Sequence, residues 1–337
     1  MISGFVSDKV KKKGPSKKWT KAELDAELKK FDAKIAEAKE REGDTEIRDY
    51  TFDKAEFIKN EVRDFAEAEK LFRETYDLSG TPSRKMECMF EILLMNLEKV
   101  DLDALKKDVA TCHQLVAEGA DWDKKNKLKV FEGCYSMLIR DFKKAADLFM
   151  SSIPTFTCVE LLDYKDFIFY AVLMSMLTQN RKELKKEIVH SSDVLSVIRD
   201  IPHLKKFLNS FYDCDYKSFF QAFVGIIDTV KRDQYLQDHV NYYAREMRLV
   251  AYRQYLEAFK SVTVQNMANS FGVSVEFLDT ELSNFIYVGK LNCKIDKVSG
   301  VIESNQSKQK AALFNKTITQ GDALLNRVQK LARVLDI

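Results

Sequence analysis

At 337 residues with 45% hydrophobic content, the chain is long enough to bury a sizeable core, as one elongated helical array or as two ordinary domains. Lys and Arg number 54 against 52 Asp and Glu, so the net charge of +2 supplies no field that would steer the molecule onto nucleic acid or membrane. Only 4 Pro and 11 Gly occur, too few for a turn-dense β architecture, and the composition points to long helices joined by short turns.

The segment from Met1 to Thr20 is polar, with Lys9, Lys11, Lys12, Lys13, Lys17 and Lys18, and it has no apolar core of signal-peptide length. It reads as a solubilising arm, with an import signal or a weak RNA contact as the sharper alternatives. From Thr20 to Glu42, Leu24, Leu28, Phe31 and Ile35 form one narrow apolar stripe on a charged helix that Gly43 closes.

An internal repeat follows. Arg63-Asp64-Phe65, Ala68 and Leu71-Phe72 match Arg140-Asp141-Phe142, Ala145 and Leu148-Phe149 at an offset of 77 residues. A fainter third copy, Asp215-Tyr216 with Phe219 and Phe223, lies 74 residues beyond Asp141, and half of either offset is close to one helix-turn-helix repeat. With amphipathic stretches at Met86 to Leu97, Leu102 to Val116, Lys127 to Ile139 and Leu161 to Leu177, the pattern predicts stacked helical hairpins. The fold class is all-α, a right-handed tetratricopeptide-like helical-repeat solenoid. Coincidence between two amphipathic helices remains the plain alternative for the repeat. The longest apolar run, Phe167 to Leu177, is too short to cross a bilayer, which leads to a cytoplasmic or nuclear expectation.

A long helix is predicted from Gln234 to Lys260. Val264 to Ser270 then reads as a short helix, Phe271-Gly272-Val273 as a turn and Ser274 as an N-cap. Val275 to Val288 reads as a second helix with Phe277, Leu278, Leu282, Phe285 and Ile286 inward. After Gly289, the alternating Lys290 to Asp296 and the apolar Val298, Val301 and Ile302 form a small β hairpin, so this stretch is a winged helix. Its second helix carries Glu276, Asp279 and Glu281 and no Lys or Arg, which argues against DNA recognition, since an acidic helix is repelled by phosphates. Glu276 and Asp279, with Lys290 and Lys294 on the wing, are the candidate protein-interface residues here. The wing lysines also fit a solvated edge that discourages strand pairing.

After a polar stretch from Glu303 to Lys310, Ile318, Gly321, Leu325, Val328, Ala332 and Leu335 alternate spacings of three and four, a coiled-coil seam that Leu324, Leu331 and Val334 widen. Such a helix either folds back on the chain or pairs with helices of other chains, and the polar stretch before it favours the second. Ile318, Leu324, Leu325, Val328, Leu331 and Leu335 are its candidate interface residues.

Chemistry is sparse. His113, His190, His203 and His239 are scattered, the six cysteines lack metal or disulfide spacing, and no phosphate-binding glycine loop or nucleophile elbow occurs. No catalytic, cofactor-binding or metal residues are expected. The sequons at Asn305 and Asn315 are put down to chance.

Several blocks carry a resemblance. Ser261-Val262-Thr263, Asn266-Met267-Ala268, Phe271-Gly272-Val273, Glu281-Leu282-Ser283, Gly289-Lys290-Leu291 and Cys293 to Val298 resemble the winged-helix half of a PCI domain, shared by the proteasome lid, the signalosome and a translation initiation factor. Tyr242-Tyr243, Arg245 to Arg248, Gly321-Asp322 and Leu324 to Leu331 narrow it to the non-ATPase regulatory subunit six family of the lid. Gly119, Asp121-Trp122-Asp123, Leu128 to Val130 and Arg140-Asp141-Phe142 agree, so the likeness runs from about Lys21 to the end.

The resemblance implies a non-catalytic scaffold with PCI modules side by side in a horseshoe. The expected partners are other PCI-domain lid subunits and the lid helical bundle, with the proteasomal ATPase ring as a further neighbour. It implies no nucleic acid, membrane or small-molecule substrate, and a deubiquitinating metal site on a different subunit. The equivalent signalosome subunit and, further off, a nucleic-acid-binding winged-helix protein are the alternatives. Extra N-terminal helices expected of the family do not match Met1 to Lys18. The expected division is a charged extension with one helix (1–48), solenoid (49–214), PCI module (215–305, with the winged helix at 262–305), and polar linker with C-terminal helix (306–337).

Overall fold

The computed structural model describes residues 21–41, 43–304 and 309–335. The lysine-rich start therefore lies outside the described residues. Two compact units share the described chain: one takes the residues up to Asp213 together with Gln221–Glu246, the other takes Cys214–Phe220 and the residues from Met247 onward.

In the first unit, antiparallel helices succeed one another as α1 (Lys21–Glu40), α2 (Asp44–Phe57), α3 (Phe65–Leu78), α4 (Pro82–Lys99), α5 (Leu102–Ala117), α6 (Trp122–Leu138), α7 (Phe142–Ser152) and α8 (Tyr164–Thr178). Short pieces α9 (Arg181–Leu184) and α10 (Ser192–Val197) lead to α11 (Leu204–Tyr212). Helices α12 (Tyr216–Val230) and α13 (Val240–Ala258) contribute residues to both units. The last of these begins six residues later than Gln234, because Gln237–His239 form a 3₁₀ turn.

The repeat seen in the sequence is a turn device. Arg63 and Arg140 adopt left-handed backbone, with φ of 60° and 67°, and each precedes an aspartate that caps the next helix. Asp64 accepts from the N–H groups of Ala66 and Glu67 at 3.1 and 3.2 Å, and Asp141 from that of Lys144 at 3.2 Å. Cys214, with φ of 63°, and Asp215, which accepts from the Ser218 N–H at 3.3 Å, make the third copy. A fourth was not read from sequence: Val100 has φ of 58°, and Asp101 caps α5 through the Ala104 N–H at 3.1 Å. It lies midway between the first two, where half the offset would put it. Each left-handed residue costs about 1–2 kcal/mol, and each aspartate cap returns about 1 kcal/mol by satisfying a helix-end donor. The same turn closes the preceding helix: the N–H of Asp101 reaches the Asn96 carbonyl at 3.1 Å, and that of Asp141 reaches Ser136 at 2.9 Å.

Small residues set the spacing. Ala68 and Ala145 are buried at equivalent positions of α3 and α7. A Cβ on Gly133 of α6 would lie 2.5 Å from the Phe149 ring, so only glycine lets α7 approach this closely. Phe149 meets Phe167 of α8 edge-on at 5.5 Å, and Phe156 packs on the same ring at 4.5 Å. Helix α8 is buried without interruption from Phe167 to Met176. Two of its residues are tied to the α12–α13 stretch by hydrogen bonds: the Tyr170 hydroxyl donates to the buried Asp233 carboxylate at 2.5 Å, and the Leu173 carbonyl accepts from the Tyr243 hydroxyl at 3.2 Å. Asp233 also accepts from the N–H groups of Tyr235 and Leu236, at 2.9 and 3.0 Å. Burial pushes the Asp233 carboxyl up, while these hydrogen bonds pull the other way.

The second unit is built on three short antiparallel strands, β1 (Ser261–Thr263), β2 (Cys293–Asp296) and β3 (Val301–Ser304), in the order β1-β3-β2. The expected hairpin is thus β2–β3, extended by β1, a strand of three residues and too short for alternation to reveal. Val262 and Ile295 both pair with the fully buried Ile302. Helix α14 (Val264–Phe271) ends at Gly272, with φ of 68°, and Ser274 caps α15 (Val275–Tyr287) by accepting from the Phe277 N–H at 3.4 Å. Leu278, Leu282 and Phe285 face inward, at i, i+4 and i+7. Phe277, expected inward as well, is 46% exposed: it sits one residue, about 100°, off that stripe. Ile286 is half-buried. Tyr252 and Phe271 meet at 5.0 Å and Tyr216 lies 4.7 Å from Phe271, forming the aromatic centre of the unit. Helix α16 (Gln309–Leu335) ends the described chain.

Candidate assembly surfaces

The acidic residues of α15 separate by role. Glu276 is exposed in the first turn, where a negative charge complements the helix N-terminus. Asp279 is half-buried and pairs with Lys297 of the wing at 3.1 Å. Glu281 faces the unit's own interior: its two oxygens accept from Arg248 Nε at 2.6 Å and from the Tyr252 hydroxyl at 2.7 Å. Burial, then the hydrogen bond to Glu281, pushes the Tyr252 phenol well above its ordinary range, so it stays a donor. Glu281 therefore fastens α15 to α13. Nothing in sequence separates it from Glu276, because its partners lie 29 and 33 residues away.

On the other side of the helix-to-wing turn, Lys290 is half-buried just after Gly289, and its carbonyl accepts from Arg253 at 3.1 Å. Lys294 is exposed on β2, directly across the ladder from Glu303. An opposite-charge pair across two strands is worth a few tenths of a kcal/mol, roughly 0.2–1, and leaves a charged edge. The four predicted winged-helix residues thus share one module, with Glu276 and Lys294 open to solvent and Asp279 committed to the wing.

Helix α16 is a different surface. Every side chain from Leu313 to Val334 is exposed, including Ile318 at 48%, Leu324 at 64%, Leu325 at 60%, Val328 at 55% and Leu331 at 60%. Leu335 is the last helical residue, and its side chain lies outside the described residues. At 1.5 Å per residue, the 27 residues make a rod about 40 Å long.

Reactive chemistry is not concentrated anywhere comparable. Among the described residues, no three His, Cys, Asp or Glu side chains come together to hold a metal. The six cysteines, all among the described residues, form no disulfide, five of them are buried, and burial pushes Cys88 up to about 11 and Cys112 and Cys158 up to about 12. No helix among the described residues is long and apolar enough to cross a membrane.

Three family models cover the two surfaces and all but the third copy of the repeat. The model described as 26S proteasome subunit RPN7 matches residues 17–187, a PCI domain matches 226–306, and the RPN7/PSMD6 C-terminal helix matches 315–335. A 26S proteasome non-ATPase regulatory subunit 6 homolog from Arabidopsis thaliana is 47% identical over 94% of this chain and 82% of its own length. The chain belongs to the RPN7 family of 26S proteasome regulatory subunits. The subunit 6 protein of Dictyostelium discoideum is 44% identical, over 94% of this chain and 83% of its own length. The regulatory subunit RPN7 of Saccharomyces cerevisiae is 31% identical, over 91% and 72%. As an RPN7-family chain it carries a helical-repeat solenoid followed by a winged-helix PCI module, and the signalosome alternative is not favoured.

Proposed function

We propose that this chain is a structural, non-catalytic subunit of the lid of the 26S proteasome regulatory particle, supporting lid assembly and through it ATP- and ubiquitin-dependent protein degradation. The observation that carries the reading is the uninterrupted exposed apolar strip of α16, which has no purpose in an isolated chain. In this reading Ile318, Leu324, Leu325, Val328, Leu331 and Leu335 pack against helices of other lid subunits in a bundle. Each fully covered aliphatic side chain contributes about 1.5–3 kcal/mol.

The PCI module of residues 215–305 meets neighbouring PCI subunits through its winged helix, with Glu276, Asp279, Lys290 and Lys294 setting charge complementarity. The solenoid of residues 49–214 projects outward, after the charged segment 1–48, and 306–337 links and supplies the bundle helix. The proteasomal ATPase ring is a further neighbour, and the working compartments are cytoplasm and nucleus. The acidic α15 supports protein docking over nucleic-acid binding, since it would release no counterions on DNA.

The test uses two versions of a tagged chain, full-length and ending at Phe314, each purified from cells and its partners identified. The full chain is expected to recover proteasome subunits, and the shortened one to stay folded and helical but to recover none. Recovery of the full chain without proteasome subunits would overturn the reading. Normal incorporation of the shortened chain would show that α16 is not the bundle element.

A further inference from the structure

Outside both assembly surfaces, Tyr242 carries two guanidinium groups. Arg140 Cζ lies 5.0 Å and Arg245 Cζ 5.5 Å from its ring centroid, and the Phe142 ring supports it at 5.7 Å. All four residues belong to the first unit. The sequence blocks Arg140-Asp141-Phe142 and Tyr242 to Arg248 contain them, and neither assembly surface uses them.

Three features make this more than two surface arginines. A guanidinium held over an aromatic ring is attracted by the ring's quadrupole and keeps N–H donors for a further partner. Arg140 is exposed and held in the left-handed turn before Asp141, and among the described residues no carboxylate pairs with it. Arg245 is 52% exposed, and its contact with Glu246, 3.5 Å from Nε to Oε1, is too long for a strong hydrogen bond and leaves donor edges over.

We propose that the Arg140, Tyr242 and Arg245 cluster is a docking point for an acidic segment of another protein chain, which places Asp or Glu carboxylates against the N–H forks of the two arginines. A carboxylate suits planar forks because it accepts two parallel hydrogen bonds. The exposed Ile139 beside Arg140 adds an apolar contact, so an acidic residue next to an aliphatic one fits best. Asp141 and Glu246 adjoin the two arginines in the chain, and their negative charge disfavours a long phosphate backbone while tolerating a single carboxylate. The choice of a protein occupant rests on the assembly reading above; the stack geometry does not.

The experiment uses the purified full chain and a fluorescein-labelled octapeptide of alternating Glu and Leu, followed by anisotropy at about 0.15 M salt, where only close charge contacts survive screening. Saturable binding is expected, weakened about tenfold in R140Q/R245Q, in keeping with the loss of charge-assisted hydrogen bonds. The charge-preserving R140K/R245K is expected to weaken it at least about threefold, because lysine lacks the fork. K205Q/K206Q, which removes two lysines of α11, should leave it unchanged.

Wild-type failure to bind, R140K/R245K binding as wild type does, or equal weakening by K205Q/K206Q would each overturn the proposal. So would displacement of the peptide by an oligothymidylate at lower concentration than by unlabelled peptide. Because the isolated chain is the reagent, a negative result here leaves incorporation through α16 standing, and failure of incorporation leaves this binding measurable.

Discussion

Helices α8 and α16 are both rich in apolar residues, and they treat them in opposite ways. In α8 aliphatic and aromatic residues occupy the whole circumference, and the ten residues from Phe167 to Met176 are all buried. In α16 they are confined to a strip, with Lys316, Asp322, Arg327, Lys330 and Arg333 on the rest, and every side chain from Leu313 to Val334 is exposed. A helix apolar all round must be enclosed on every side, whereas a helix apolar on one strip needs cover for that strip alone, and the strip of α16 is exposed. In the proposed reading the first kind holds the subunit together and the second serves assembly, so substitutions in the two should separate stability from assembly.

The largest effect is expected in α8. Phe167→Ala removes a ring packed between Phe149 and Phe156 and should cost about 3–5 kcal/mol, read as a lower denaturation midpoint with incorporation lost only as folding fails. An intermediate case is Glu281→Ala, which strands Arg248 and the buried Tyr252 hydroxyl and should cost about 2 kcal/mol, whereas Glu276→Ala should leave the midpoint unchanged. If the two glutamates behaved alike, the division of α15 into an anchoring and an outward side would be wrong. The smallest stability effect belongs to α16. Leu325→Asp with Val328→Asp should move the midpoint by no more than about 0.5 kcal/mol, while abolishing recovery with proteasome subunits. A large loss of stability instead would mean that the strip is covered within the chain.

Much of this contrast could be read from residue spacing. The α16 seam is a matter of threes and fours, and the winged helix announced itself through Gly272, Ser274 and the alternation after Gly289. The repeat was legible where Arg-Asp-Phe recurred in letters. Its fourth copy, Val100-Asp101-Leu102, escaped because what recurs is a left-handed residue followed by a capping aspartate, and only the aspartate leaves a mark in sequence. Phe277 was misplaced because a single residue of helical rotation separates it from Leu278, a difference that periodicity resolves only when the whole stripe is fixed by packing. The role of Glu281 was invisible for the same reason that Asp233's was: both depend on partners far along the chain, Arg248 and Tyr252 for one and Tyr170 for the other.

The exposed strip of α16 also bears on the life of the subunit before it is assembled. A newly made copy without partners carries into water a rod of leucine, valine and isoleucine that other such copies, or chaperones that recognise greasy surfaces, would bind as readily as the intended neighbours. Its solubility as an orphan therefore depends on stoichiometry: made in excess, the chain should self-associate or be cleared, and made alongside its partners it should not. In the proposed reading, the helix that admits the subunit to the complex is thus also the tag by which an unassembled copy can be told from an assembled one.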